Sequence, residues 1–112
     1  MAPRPHNSGH YTIEACVTSQ FENHVRAVLN LPLGSVEMVK PAAVMINLLG
    51  KKEGLGIVED YREALKDENV HLHIYGKEKS RSGRKMGHIT MLGRDTGTVL
   101  TRLKKIEPKI II

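Results

Sequence analysis

Val70-His71-Leu72-His73-Ile74-Tyr75 alternates apolar and polar side chains without a break. Val70, Leu72 and Ile74 fall on one side, and His71, His73 and Tyr75 on the other, which is the period of a half-buried β-strand. Gly76 to Gly83 then carries Lys77, Glu78, Lys79, Arg81 and the serines Ser80 and Ser82. It reads as a basic, hairpin-like connection. Arg84-Lys85-Met86-Gly87-His88-Ile89-Thr90-Met91-Leu92 returns as a second strand, and Gly93-Arg94-Asp95 turns it.

Working upstream, Ile57, Val58, Tyr61, Ala64 and Leu65 recur at helical spacing and predict a helix over 57–66, closed by Asp67-Glu68-Asn69. Ala42 to Leu49 is apolar apart from Asn47 and is bounded by Pro41 and Gly50, which suits a strand buried on both faces. Asn47 inside it needs hydrogen-bond partners, and bonding the neighbouring chain is expected over touching substrate. Ser19-Gln20-Phe21-Glu22 is a capping box, so a helix starts there. Phe21, Val25, Val28 and Leu29 make its apolar face, His24 lies beside that face as a packing residue, and Asn30 with Pro32 ends it.

Downstream, Thr96, Val99, Leu100, Leu103 and Ile106 trace a last helix, with Lys104 and Lys105 at its C-terminal end complementing the dipole. Pro108 stops it. Ile110-Ile111-Ile112 is either an exposed apolar tail or a strand that finds an edge. The expected fold class is therefore α+β: about four strands in a small mixed or antiparallel sheet or partial barrel, with helices near 19–30, 57–66 and 96–106.

The 112 residues amount to one domain or a fragment, 1–112, with a modest core. No apolar run is long enough to cross a bilayer, so no membrane partner is expected. Met1 leads into prolines and no secretory signal is read, so a cytoplasmic address is expected. The single Cys16 cannot form an internal disulfide and reads as a buried thiol. A net charge of +5 raises nucleic acid as a partner, but one Phe, three Tyr and no Trp leave few platforms for stacking bases. Small anions account for the basic residues equally well. His71 and His73 share a strand face at a spacing a metal could use, but no third ligand is read beside them.

The opening run Arg4-Pro5-His6-Asn7-Ser8-Gly9-His10 gathers a guanidinium, two imidazoles, a carboxamide and a hydroxyl. Its prolines hold the backbone extended, and its side chains are of the kind that grip anions and move protons. By composition it is a mobile tail, as the 76–83 connection is a solvated loop. The alternative is that the two segments form one anion site, with Lys77 as a point charge and Arg84 as a fork for phosphate oxygens.

Two motifs favour the second reading. Ala2-Pro3-Arg4-Pro5-His6-Asn7-Ser8-Gly9-His10-Tyr11-Thr12, followed by Glu14-Ala15-Cys16 and Ser19-Gln20-Phe21-Glu22, resembles the opening of the final third of the 5-(carboxyamino)imidazole ribonucleotide synthases, ATP-grasp enzymes of purine (IMP) biosynthesis. Tyr75-Gly76-Lys77 with Gly83-Arg84-Lys85-Met86-Gly87-His88 resembles a second signature of that family, in the same order. The resemblance covers essentially the whole chain. It implies a C-terminal domain, resembling the hybrid motif of ATP-grasp enzymes, of a ligase that joins bicarbonate to 5-aminoimidazole ribonucleotide at the expense of ATP, through carboxyphosphate.

On that resemblance Arg4, His6 and Asn7 are the catalytic positions, lining the bicarbonate and aminoimidazole side. Arg4 offsets carboxylate charge, and His6 either hydrogen-bonds the carboxylate or moves a proton from the attacking amine. Lys77 and Arg84 would hold the 5'-phosphate. The family's metal-binding glutamate and nucleotide-binding grasp precede the matching segment, so ATP and Mg are implied for the full-length enzyme and no metal or cofactor for this chain alone. The missing ATP-grasp domains and a second copy, in a homodimer, are the implied protein partners. Nucleic acid is not among them. The other classes open at this point are a small basic nucleic-acid-binding domain and a non-catalytic oligomerisation domain. Residues 1–10 are expected to be poorly held in the isolated chain.

Overall fold

The computed structural model describes residues 3–112; Met1 and Ala2, where the opening motif begins, lie outside the described residues. In chain order the elements are α1 (Thr12–Ala15), α2 (Gln20–Val28), β1 (Ala42–Leu49), β2 (Gly54–Leu55), α3 (Arg62–Leu65), β3 (Val70–Ile74), β4 (Lys79–Ser80), β5 (Lys85–Gly93) and α4 (Thr96–Ile106). Short 3₁₀ turns occupy Asn7–Gly9 and Glu107–Lys109. The class is α+β, as the alternation and helical spacings imply. A three-stranded antiparallel sheet in the order β1-β5-β3 stands beside a two-stranded antiparallel ladder of β2 and β4.

Register sorts the side chains of the sheet into rows. Ile46, Ile89 and Leu72 lie opposite one another across the three strands, as do Val44, Met91 and Val70. These rows meet Val99 and Leu103 of α4 together with Ile110 and Ile112, and that cluster is the core. Alternation then puts Asn47, His88 and His73 in a polar row on the opposite side. The opening segment covers it.

Gly87 makes the sheet possible in this form. A Cβ there would lie 2.3 Å from the carbonyl oxygen of His73, so only glycine lets β3 approach β5 at that point. One residue earlier the β1–β5 register shifts: Leu48 faces Gly87 but Leu49 faces Lys85, leaving Met86 without an opposite number.

Helix 57–66 shrinks to Arg62–Leu65, and extended pairing is the reason. Gly56 N donates to Glu78 O at 2.8 Å, and Glu59 N to Ile111 O at 2.8 Å, so the chain before Arg62 is tied to two other strands. Ile57 is consequently exposed. Ile111 returns a bond to Asp60 O at 2.9 Å, so the terminal isoleucines take the strand-edge alternative, with Ile110 and Ile112 buried.

The capping box forms by half. Ser19 Oγ accepts from Glu22 N at 3.1 Å, but the Glu22 carboxylate turns to Arg26 one turn on, at 2.8 Å. Asn30, at φ 57°, ends the helix in the left-handed conformation. His24 is exposed rather than packed. The stripe of Phe21, Val25, Val28 and Leu29 also faces outward.

Candidate functional site

The opening segment is held by one side chain. Gln20, first in α2, accepts from His6 N at 3.0 Å, donates from Nε2 to His6 O at 2.8 Å and places the same nitrogen 2.8 Å from His10 Nδ1. Gly9 passes so close that a Cβ on it would lie 2.5 Å from Gln20 Oε1. Thr12 Oγ1 donates to Gly9 O at 2.6 Å and accepts from Gln20 N at 3.0 Å. The expectation that residues 1–10 are poorly held is therefore corrected from His6 onward. Their backbone has partners within the domain.

His6 presents a defined nitrogen. Its Nδ1 accepts from Ser8 N at 3.2 Å and sits 3.1 Å from Ser8 Oγ. With Nδ1 engaged as an acceptor, the neutral ring carries its proton on Nε2 and offers a donor. Arg4 is exposed, and among the described residues its guanidinium reaches only Pro5 O, at 3.4 Å. Asn7 Nδ2 donates to Asn47 Oδ1 at 2.8 Å. Asn47 thus finds its expected hydrogen-bond partner in a neighbouring stretch of chain, the opening segment.

Beneath this segment lies the polar row. His88 is 1% exposed, and its Nδ1 is 2.8 Å from the Tyr75 hydroxyl. Burial first, then His73 and His10, push the His88 pKa down to about 4. The neutral ring accepts the Tyr75 proton. Burial raises the Tyr75 pKa, with a hydrogen-bonding contact from the Asn7 side chain working against it. His10 is lowered by burial, His6, His73 and Lys85, in that order.

His73 Nε2 pairs with Glu14 of α1. A carboxylate therefore joins His73, not from nearby in the sequence but from 59 positions away. Among the described residues no group of three or more metal-ligating side chains converges.

Tyr75 is where the two sequence motifs meet. The His10 ring packs edge-on against it with centroids 6.1 Å apart, and Lys77 Nζ lies 5.6 Å from its ring centre. Lys77 Nζ also donates to Lys85 O at 2.6 Å. Arg84 faces another space: it donates to Lys79 O at 2.7 Å and, with Glu53, Leu55, Lys79 and Arg81, lines an open cavity of about 650 Å³ that Lys77 does not line. The structure thus brings His10 and Lys77 to Tyr75, with His6 and Asn7 in the turn just before His10 and Arg84 on the hairpin beyond. Reading the sequence for chemistry passed over Gln20, Asn47, Tyr75 and His88. The alternation of β3 already placed Tyr75 on the histidine face.

The profile of the phosphoribosylaminoimidazole carboxylase C-terminal domain matches residues 43–102, more than half of the chain, and that of the ATP-grasp domain matches residues 1–21. The N5-carboxyaminoimidazole ribonucleotide synthase of Bacillus subtilis is 54% identical over 92 residues, covering 82% of this chain and 23% of that protein. Among solved structures, N5-carboxyaminoimidazole ribonucleotide synthetase from Thermotoga maritima superposes with a TM-score of 0.90 at 52% identity, over 98% of this chain and 31% of that one. The Aspergillus clavatus synthase, crystallised with ADP and 5-aminoimidazole ribonucleotide, gives a TM-score of 0.75 at 39% identity, over 92% of this chain and 28% of that one. This chain spans about a quarter of the length of the curated synthases it matches, 23% for Bacillus subtilis and 24% for a Staphylococcus aureus relative.

Proposed function

The chain belongs to the phosphoribosylaminoimidazole carboxylase C-terminal domain family, and we propose that it is the substrate-side portion of a cytoplasmic 5-(carboxyamino)imidazole ribonucleotide synthase acting in purine biosynthesis. The observation that carries this reading is the meeting of the two motifs at Tyr75, with His10 edge-on to its ring and Lys77 beside it. In the whole enzyme ATP supplies the phosphoryl group that activates bicarbonate as carboxyphosphate. ATP and Mg are held by the preceding domains.

This chain's residues act on the other partners. The exocyclic amine of 5-aminoimidazole ribonucleotide forms a bond to the carboxyl carbon, phosphate leaves, and the amine gives up a proton. Arg4, exposed and bound only weakly to Pro5, offsets the negative charge of the carboxylate. His6 offers Nε2–H as a hydrogen-bond donor to the same group, and this supports its holding role over that of proton acceptor. Asn7 orients it from its place on Asn47. Lys77 and Arg84 take the 5'-phosphate, the first as a point charge and the second as a fork. Arg84 reaches the phosphate only if the hairpin carries it toward Tyr75.

The full-length protein is proposed to be a homodimer. The exposed stripe of Val25, Val28 and Leu29 on α2, continued by the half-exposed Phe21, supports that reading.

A chimaera tests the function: this chain replaces the matching segment of the Bacillus subtilis synthase. ADP release that requires both bicarbonate and 5-aminoimidazole ribonucleotide is expected. A well-folded chimaera that releases ADP without responding to the ribonucleotide would overturn the assignment.

A further inference from the structure

Asn47, His88 and His73 form a polar row across β1, β5 and β3, with Tyr75 bonded to the central histidine. None of the four belongs to the motif residues that face substrate in the proposed function. Yet the opening segment rests on them. Asn7 bonds Asn47, the His10 ring lies 5.3 Å from the His88 ring and 6.1 Å from that of Tyr75, and Glu14 binds His73.

We propose that Tyr75 and His88 are positioning residues: their hydrogen-bonded pair is the rigid seat that fixes His10, and through the turn Asn7–Gly9 before it sets the direction of His6. The inference rests on the reading that His6 and Asn7 serve the carboxylation. Each half of the seat is constrained. His88 is almost wholly buried, and its ring is fixed by stacking on His73 at 4.5 Å. With its ring neutral, His88 has an acceptor at Nδ1 for the hydroxyl of Tyr75. That bond holds the tyrosine at the place where its ring meets His10.

The segment above contains no competing rigid element. Its 3₁₀ turn covers only Asn7–Gly9, and α1 is a single turn of four residues. Its aim therefore comes from contacts with side chains below it and with Gln20. Gln20 fixes the backbone of His6 and lies beside one nitrogen of His10, and the His10 ring packs in addition against Tyr75 and His88. Loss of the Tyr75 hydroxyl would leave His88 Nδ1 without its partner and the Tyr75 ring without the bond that places it against His10. Small misplacements of a reacting group cost large factors in rate.

The test uses Tyr75→Phe, His88→Leu and His88→Asn, the last because its side-chain oxygen falls near the place of Nδ1 and keeps an acceptor for Tyr75. In the Bacillus subtilis chimaera, Tyr75→Phe and His88→Leu are expected to lower kcat about tenfold or more while the KM for ATP stays within twofold. His88→Asn should recover most of the loss. In the 112-residue chain itself, NMR should show the His10 ring signals shifted and the His6 to His10 amides exchanging faster in Tyr75→Phe, with the amides of α4 unchanged. An active chimaera whose kcat is indifferent to Tyr75→Phe would overturn the positioning role and leave the proposed function standing. A chimaera inactive with the unaltered segment would count against the proposed function instead. The NMR comparison then decides the seat alone, and unmoved His10 ring signals with unchanged His6 to His10 exchange in Tyr75→Phe would overturn it.

Discussion

The imidazoles of His73 and His88 stack with centroids 4.5 Å apart and 17° between their planes. Charging both rings in that geometry is unfavourable, and burial already disfavours charge on His88. Its pKa is pushed down to about 4, while in the unfolded chain it returns to near 6.5.

Stability should therefore depend on pH in a set direction. Between pH 6.5 and 4 the unfolded chain binds a proton that folded His88 refuses, so stability is full above that window and falls through it as pH is lowered. The loss from His88 amounts to about 3 kcal/mol. His10, shifted in the same direction, adds to it. Urea unfolding at pH 7 and pH 4.5 checks this. Equal midpoints would mean that His88 is protonated as readily in the folded chain as in the unfolded one.

Gly87→Ala should destabilise the sheet by about 1–3 kcal/mol, the usual range for overpacking. The added Cβ meets the His73 carbonyl, so β3 must move off β5 and carry His73 away from His88. Thermal unfolding gives the stability change. The histidine ring signals in NMR should shift in the same variant.

Asp95→Ala should cost about 1 kcal/mol. Asp95 Oδ2 accepts from Thr98 N at 2.8 Å and from Thr98 Oγ1 at 2.9 Å, capping the helix that brings Val99 and Leu103 to the core. Asp95→Asn keeps an acceptor and should lose much less. Chemical denaturation of the two variants side by side separates the cap from a general effect of charge removal.

The strands were readable because their signal is local. Val70 to Tyr75 alternates, Ala42 to Leu49 is bounded by Pro41 and Gly50, and α4 has its apolar stripe and cap within one stretch. The 57–66 helix misled because its apolar spacing is real but its backbone bonds go to Glu78 and Ile111, partners no local pattern announces. The site was legible in its motif residues and not in its support. Asn7 meets Asn47 across 40 positions and Glu14 meets His73 across 59, so neither pair leaves a trace in spacing. The break in register at Met86 also hid Lys85, which comes within electrostatic range of His10.

Purified chain free of any full-length synthase should show no ATP turnover, with or without 5-aminoimidazole ribonucleotide, because the chain spans about a quarter of the length of the synthases it matches and the ATP-grasp profile matches it over residues 1–21 alone. A coupled ADP assay is sufficient. Turnover proportional to the amount of chain would require a nucleotide site within these 112 residues.

The central claim is that this segment supplies the substrate side of the reaction, and Arg84→Lys in the Bacillus subtilis chimaera tests it most directly. Lysine keeps the charge of Arg84 and loses the planar fork that matches phosphate oxygens. A charge-assisted contact of this kind contributes about 1.5–3 kcal/mol, so the substitution should raise the KM for 5-aminoimidazole ribonucleotide about tenfold and leave the KM for ATP nearly fixed. Equal changes in the two constants, or none in either, would contradict the account and return Arg84 to a solvated basic hairpin.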